Sequence, residues 1–137
     1  MKQGHLLFVY GTLRRGEPKG LEDDRRVMFL GEDQINGLMY SLGWYPGVKT
    51  EPGHFDPGKP TIIGDVFLIR DEAIVPHLDA YEGYPNLYDR LETETANGRH
   101  VWVYTYKDDL SHFEPLRIGD WTLSKKALTE QPVLGVE

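Results

Sequence analysis

Leu6-Leu7-Phe8-Val9-Tyr10-Gly11 is the stretch on which the fold turns. Five apolar residues closed by glycine read as a short buried strand, because the run is too brief for a helix and stops at a turn signal. Gly11 lets the chain turn sharply there. Such a turn can aim successive backbone N–H groups into one concavity that suits an anion. Thr12 adds a hydroxyl. The spacing is not that of a P-loop, since Gly-x-x-x-x-Gly-Lys is absent. By composition alone the segment is a strand and an ordinary turn; it becomes half of a site only with a partner.

Outward from this strand, Arg14 to Arg26 is polar, carries Gly16, Pro18 and Gly20, and reads as a loop with a marginal helical turn. Val27 to Leu30 and Gly37 to Leu42 read as two strands separated by a polar stretch. Trp44-Tyr45-Pro46-Gly47-Val48 reads as a turn entering another strand, since Pro-Gly is a strong turn dipeptide. Glu51 to Pro60, with three prolines, reads as an exposed loop. Thr61 to Arg70 is a β-rich core segment. Asp71 to Tyr81 is the best helix, with Asp71 as its cap, Ile74, Val75, Leu78 and Tyr81 on one face, and Gly83 as its stop. Pro76 costs that helix unless it sits in an early turn. Tyr88 to Thr95 and His100 to Tyr106 form a hairpin about Asn97-Gly98. After Trp121 the pattern is weak. The expected fold is α+β, one domain over residues 1–137, with its strands closed into a small mixed barrel that leaves no free edge.

The 137 residues suit one core. Lys and Arg number 15 and Asp and Glu 22, a formal net charge of −7. That balance disfavours nucleic acid, whose binding rests on Lys and Arg. The only dense basic cluster is Arg14-Arg15. There is no cysteine, which excludes disulfides, thiolate metal sites and a cysteine nucleophile. The N-terminal apolar run is too short for a signal segment, and none approaches the ~20 residues of a membrane span. The expected location is cytoplasmic, with no membrane partner.

A second segment supplies chemistry. In Leu78-Asp79-Ala80-Tyr81-Glu82-Gly83-Tyr84-Pro85, Glu82 stands where the helix ends, flanked by Tyr81 and Tyr84. The negative end of the helix dipole and the desolvating aromatic rings both favour its neutral form, which makes a competent base near neutral pH. Read by itself, Glu82 is also an ordinary solvated acid beside a turn. Ile118-Gly119-Asp120-Trp121 reads as a turn and a buried aromatic. The five histidines are scattered without metal-ligand spacing. No serine has a Gly-x-Ser-x-Gly setting. Tyr88 and Tyr104 lie near both motifs in the expected fold and are candidate pocket walls.

The order of Phe8-Val9-Tyr10-Gly11-Thr12-Leu13-Arg14-Arg15-Gly16, Gly37-Leu38-Met39-Tyr40, Tyr45-Pro46-Gly47, Gly64-Asp65-Val66-Phe67, Leu78-Asp79-Ala80-Tyr81-Glu82-Gly83, Tyr88-Asp89-Arg90, Val101-Trp102-Val103-Tyr104 and Gly119-Asp120-Trp121 spans nearly the whole chain. In this it resembles the γ-glutamylcyclotransferase-like superfamily, which includes γ-glutamylamine cyclotransferases and the plant AIG2-type proteins. The resemblance implies a small β-barrel with flanking helices. It implies that Tyr10, Gly11, Thr12 and Leu13, with Tyr88 and Tyr104, hold a γ-glutamyl group, and that Glu82 is the general acid/base that cyclises it to 5-oxoproline. It implies a small-molecule substrate and no metal or organic cofactor. Two departures bear on the leaving group: Glu17-Pro18-Lys19-Gly20 differs from many relatives, and the loop Glu51 to Pro60 is long. Both are expected at the pocket rim. Two other functions suit the same residues, a binding module for a small carboxylate and cleavage of a γ-glutamyl group from a larger carrier.

Overall fold

The computed structural model describes residues 1–130, with side chains as far as Lys125. Its elements are β1 (Leu6–Val9), β2 (Val27–Asn36), β3 (Leu38–Ser41), β4 (Pro46–Lys49), β5 (Thr61–Ile69), α1 (Ile74–Glu82), β6 (Tyr88–Glu94), β7 (His100–Tyr106) and α2 (Trp121–Glu130). A single 3-10 turn at Leu21–Asp23 is the helical turn expected in the polar loop.

β1 is the middle strand of a five-stranded sheet ordered β2-β5-β1-β7-β6. It runs antiparallel to β5 and parallel to β7, with Leu6 opposite Val101. Its continuous apolar sequence follows from cover on both faces. Leu7 and Val9 pack with Ile74 and Leu78 of α1 on one side. Phe8 and Tyr10 pack with Met39, Val48 and Trp121 on the other. Each fully buried aliphatic or Phe side chain here contributes about 1.5–3 kcal/mol. β7 divides in the same way, with Val101 and Val103 in one cluster and Tyr104 in the other.

The expected closed barrel is not what forms among the described residues. β2 and β6 are the free edges of the five-stranded sheet, and β3 pairs only with β4 in a separate hairpin. That hairpin covers one face of the sheet by packing Met39 and Val48 into the cluster of Phe8, Val66 and Val103. The edges are protected by other means. β2 carries an irregularity between Phe29 and Gly31 and turns a charged residue, Asp33, inward. β6 bears Asp89, Arg90, Glu92 and Glu94.

Other expectations change as well. The polar stretch after Leu30 is not a break: β2 runs unbroken in sequence to Asn36 and pairs along β5. Asp33 can lie buried there because Arg99 donates to it at 3.0 Å and the Gln34 N–H at 2.8 Å. The weakly patterned tail begins as a helix, since Asp120 accepts from the Leu123 N–H at 3.1 Å and caps α2. The first helix begins later than expected, at Ile74. Asp71 instead closes the turn before it, accepting from the Ala73 N–H at 2.9 Å. Pro76 then falls in the first turn, where backbone N–H groups have no intrahelical partner. Tyr81 leaves the apolar face and is partly exposed.

Candidate active site

β1 and β7 are parallel and therefore end on the same side of the sheet. Tyr10 continues from the end of β1, and the Tyr10 hydroxyl donates to the backbone oxygen of Tyr104 on β7 at 2.6 Å. β6 begins at that same end, with Tyr88 opposite Tyr106. The Tyr88 hydroxyl donates to the backbone oxygen of Pro46, where β4 begins, at 2.9 Å. These elements and the last turn of α1 enclose a cavity of about 330 Å³. All seven residues singled out in the sequence, Tyr10, Gly11, Thr12, Leu13, Glu82, Tyr88 and Tyr104, line it.

The turn after β1 is held from behind. Arg14 is buried, and its guanidinium reaches Asp120 at 3.2 Å, Asp65 at 3.4 Å and Glu32 at 3.1 Å. Asp65 also accepts from the Arg15 N–H at 2.8 Å. The Arg14 N–H bonds the Gly11 oxygen at 3.0 Å, which closes the turn. Among the described residues, the N–H groups of Gly11, Thr12 and Leu13 donate to no protein acceptor. A rigid turn with undonated N–H groups is a ready site for negative charge. Gly11 also leaves room for the hairpin opposite, since a Cβ there would sit 3.1 Å from Pro46.

Glu82 is the last residue of α1. Gly83 follows in the left-handed conformation, φ 70°, ψ 34°. The Gly83 N–H bonds the Ala80 oxygen and the Tyr84 N–H bonds the Asp79 oxygen, a Schellman ending that fixes where Glu82 points. Glu82 keeps partial exposure as a residue, yet the protein packed about its carboxyl desolvates it and pushes its pKa up to about 7. Its carboxylate has no hydrogen-bond partner among the described residues. Burial, and then the Glu82 charge, push the phenols of Tyr10 and Tyr88 upward, so both stay protonated.

The phenol protons are already committed. Besides the bonds from Tyr10 and Tyr88, Tyr104 donates to Asp79 Oδ1 at 2.7 Å. Arg90 holds that carboxylate at 2.9 and 3.1 Å. The phenol oxygens of Tyr10, Tyr88 and Tyr104 therefore offer only lone pairs to a guest. The cavity lining thus combines a turn whose N–H groups lack protein acceptors with phenol lone pairs and the Glu82 carboxyl.

Several residues escaped the sequence reading. Arg14, read as part of a basic cluster, is buried and anchors the turn. Asp79, three residues before Glu82, anchors Tyr104. Tyr45, Pro46, Tyr81 and Leu87 also line the cavity. The clue for Tyr45 was its place beside Pro46-Gly47, a turn that a β-hairpin must bring to one end of the sheet. The two loops expected at the rim do not line this cavity: neither residues 17–20 nor 51–60 contribute to it. Glu51 to His54 instead border a separate cleft with Lys49 and Thr93.

A family model described as gamma-glutamyl cyclotransferase, AIG2-like, matches residues 7–123. The chain belongs to that family. Among its γ-glutamylcyclotransferase relatives, the family protein YtfP of Escherichia coli is 33% identical over 118 residues, which cover 84% of this chain and 94% of YtfP. A gamma-L-glutamyl-butirosin B gamma-glutamyl cyclotransferase of Niallia circulans is 29% identical over 124 residues, 84% of this chain and 74% of the relative. The crystal structure of an AIG2-like protein from Mus musculus superposes with a TM-score of 0.70 at 22% identity, over 87% of this chain and 88% of the other. That likeness fixes the α+β fold, and the sequence relatives identify a γ-glutamylcyclotransferase-type enzyme. Among the described residues no helix is long and apolar enough to cross a membrane.

Proposed function

We propose that this γ-glutamylcyclotransferase-type enzyme uses Glu82 as its single general acid/base. The observation that carries the reading is the placement of a desolvated carboxyl, its pKa near 7, in the same cavity as the undonated N–H groups of Gly11 to Leu13. The turn takes the negative end of a γ-glutamyl amide. Its α-amine lies toward Glu82 and the lone pairs of the phenols. The neutral amine nitrogen bonds to the γ-carbonyl carbon, and the Glu82 carboxylate takes the proton that this nitrogen sheds as the five-membered ring forms. As the amide C–N bond breaks, Glu82 returns the proton to the departing nitrogen. The products are 5-oxoproline and a free amine, and no water is consumed.

Folding the flexible glutamyl chain into attack geometry is a large part of the task, and well-oriented intramolecular reactions gain up to ~7–11 kcal/mol. The proton transfer adds about 10²–10⁴-fold. Glu82→Gln keeps the shape and removes the base, so kcat for release of 5-oxoproline from γ-glutamyl amides should fall by at least ~100-fold. In the native enzyme kcat/KM should rise with pH through a limb near 7, as the carboxylate forms. Full activity in Glu82→Gln would end the assignment.

A further inference from the structure

We infer that the leaving group of this enzyme is an apolar, preferably aromatic, amine that carries no carboxylate, and that Trp44 is its rim contact. The inference rests on the cyclotransferase reading above and adds the half of the substrate which that reading leaves open.

Three observations carry it. First, on the cyclotransferase reading the cavity takes the glutamyl end, so the departing nitrogen's substituent projects through the mouth. Secondly, the mouth is apolar: Tyr45, Tyr81 and Leu87 line the cavity and are each partly exposed large hydrophobics. Trp44 precedes Tyr45 in sequence, lies outside the cavity lining, and is 92% exposed, the most solvent-exposed large apolar residue among those described. It is held out by a tight turn, closed by the Leu42 N–H to the Tyr45 oxygen at 3.0 Å and entered through Gly43 at φ 101°. An indole left in water gains when an apolar substituent covers it. Thirdly, among the described residues no Lys, Arg or His lines the cavity, and the one carboxylate that does is Glu82. A leaving group with its own carboxylate finds no counter-charge there and is repelled by Glu82.

The test compares 5-oxoproline release from four substrates: γ-glutamylethylamide, γ-glutamyl-2-phenylethylamide, γ-glutamylphenylalanine and γ-glutamylglutamate. The phenylethylamide should exceed the ethylamide in kcat/KM by about tenfold, the size of effect that apolar pocket contacts give. γ-Glutamylglutamate should be the poorest. γ-Glutamylphenylalanine should fall below the phenylethylamide, because it differs by a carboxylate. Trp44→Ala should lower the phenylethylamide-to-ethylamide ratio at least threefold, and Trp44→Phe should restore most of it. Because Trp44 is solvent-exposed, either variant should fold. Equal turnover of all four, or a preference for γ-glutamylglutamate, overturns this inference while leaving the cyclotransferase reading intact. A ratio unchanged in Trp44→Ala overturns the role of Trp44. No 5-oxoproline from any of the four overturns both readings.

Discussion

Glu82, the proposed acid/base, is a desolvated carboxyl held at a cost to the fold. An unfolded chain ionises this carboxyl in the usual range, from a reference of 4.5, whereas the folded protein holds its proton up to about 7. Between these values the folded state binds a proton that the unfolded state lacks, so native stability declines as pH rises through that window. Above it the ionised carboxylate bears its full burial cost, about 3 kcal/mol at most. Glu82→Gln has no such dependence. Urea titrations should therefore show the variant more stable than the native protein at pH 8, with the difference shrinking toward zero near pH 4.5. A constant difference would show the carboxyl to be well solvated. The residue types at the site were legible in the sequence, because Tyr-Gly-Thr-Leu after an apolar run and Glu-Gly at a helix end each carry a local cause. Arg14 was not, because burying a guanidinium depends on acids 18, 51 and 106 residues away in sequence.

At the scale of elements, the close approach of β5 to β1 keeps the site in register. A Cβ on Gly64 would sit 2.4 Å from the Val9 backbone oxygen and 2.6 Å from the Phe8 ring. Gly64→Ala must push β5 off the strand that leads into the Tyr10 to Leu13 turn. It should destabilise the protein by about 1–3 kcal/mol in urea, and it should raise KM for the γ-glutamyl amide as the turn shifts. Unaltered KM and stability would mean that β1 can move freely at Val9. The strands with an apolar face could be read directly, as could the Asn97-Gly98 hairpin, where Gly98 takes φ 78°. β2 was legible only as far as Leu30, since its buried Asp33 breaks the apolar alternation beyond it and the ion partner of Asp33 lies on another hairpin. The barrel was expected because free edges are hazardous. Inward charge and an irregular register protect an edge as well as closure does, and hydropathy does not distinguish these solutions.

Across the whole molecule, Arg14 ties the turn to β5 and to the start of α2. Arg14→Ala strands Asp65 and Asp120 as buried carboxylates without their cation. Breaking a buried ion pair on one side costs about 3–5 kcal/mol, so a large drop in the urea midpoint is expected. Arg14→Lys should recover only part of it, because an ammonium cannot fork between the acids. Equal stability of all three forms would place the weight of the fold elsewhere. The parallel pairing of β1 with β7 also has a consequence in time. One flank of β1 is met by β5 once residue 69 has emerged from the ribosome, but the other waits for β7, which ends at Tyr106. At about 5–20 residues per second, the Tyr10 end of β1 stands without its β7 neighbour for roughly 5–20 seconds of every synthesis. The pocket that holds Glu82 is thus among the last features the nascent chain completes, and a prematurely released product ending before β7 would carry the Tyr-Gly-Thr-Leu sequence and Glu82 with no chamber to join them.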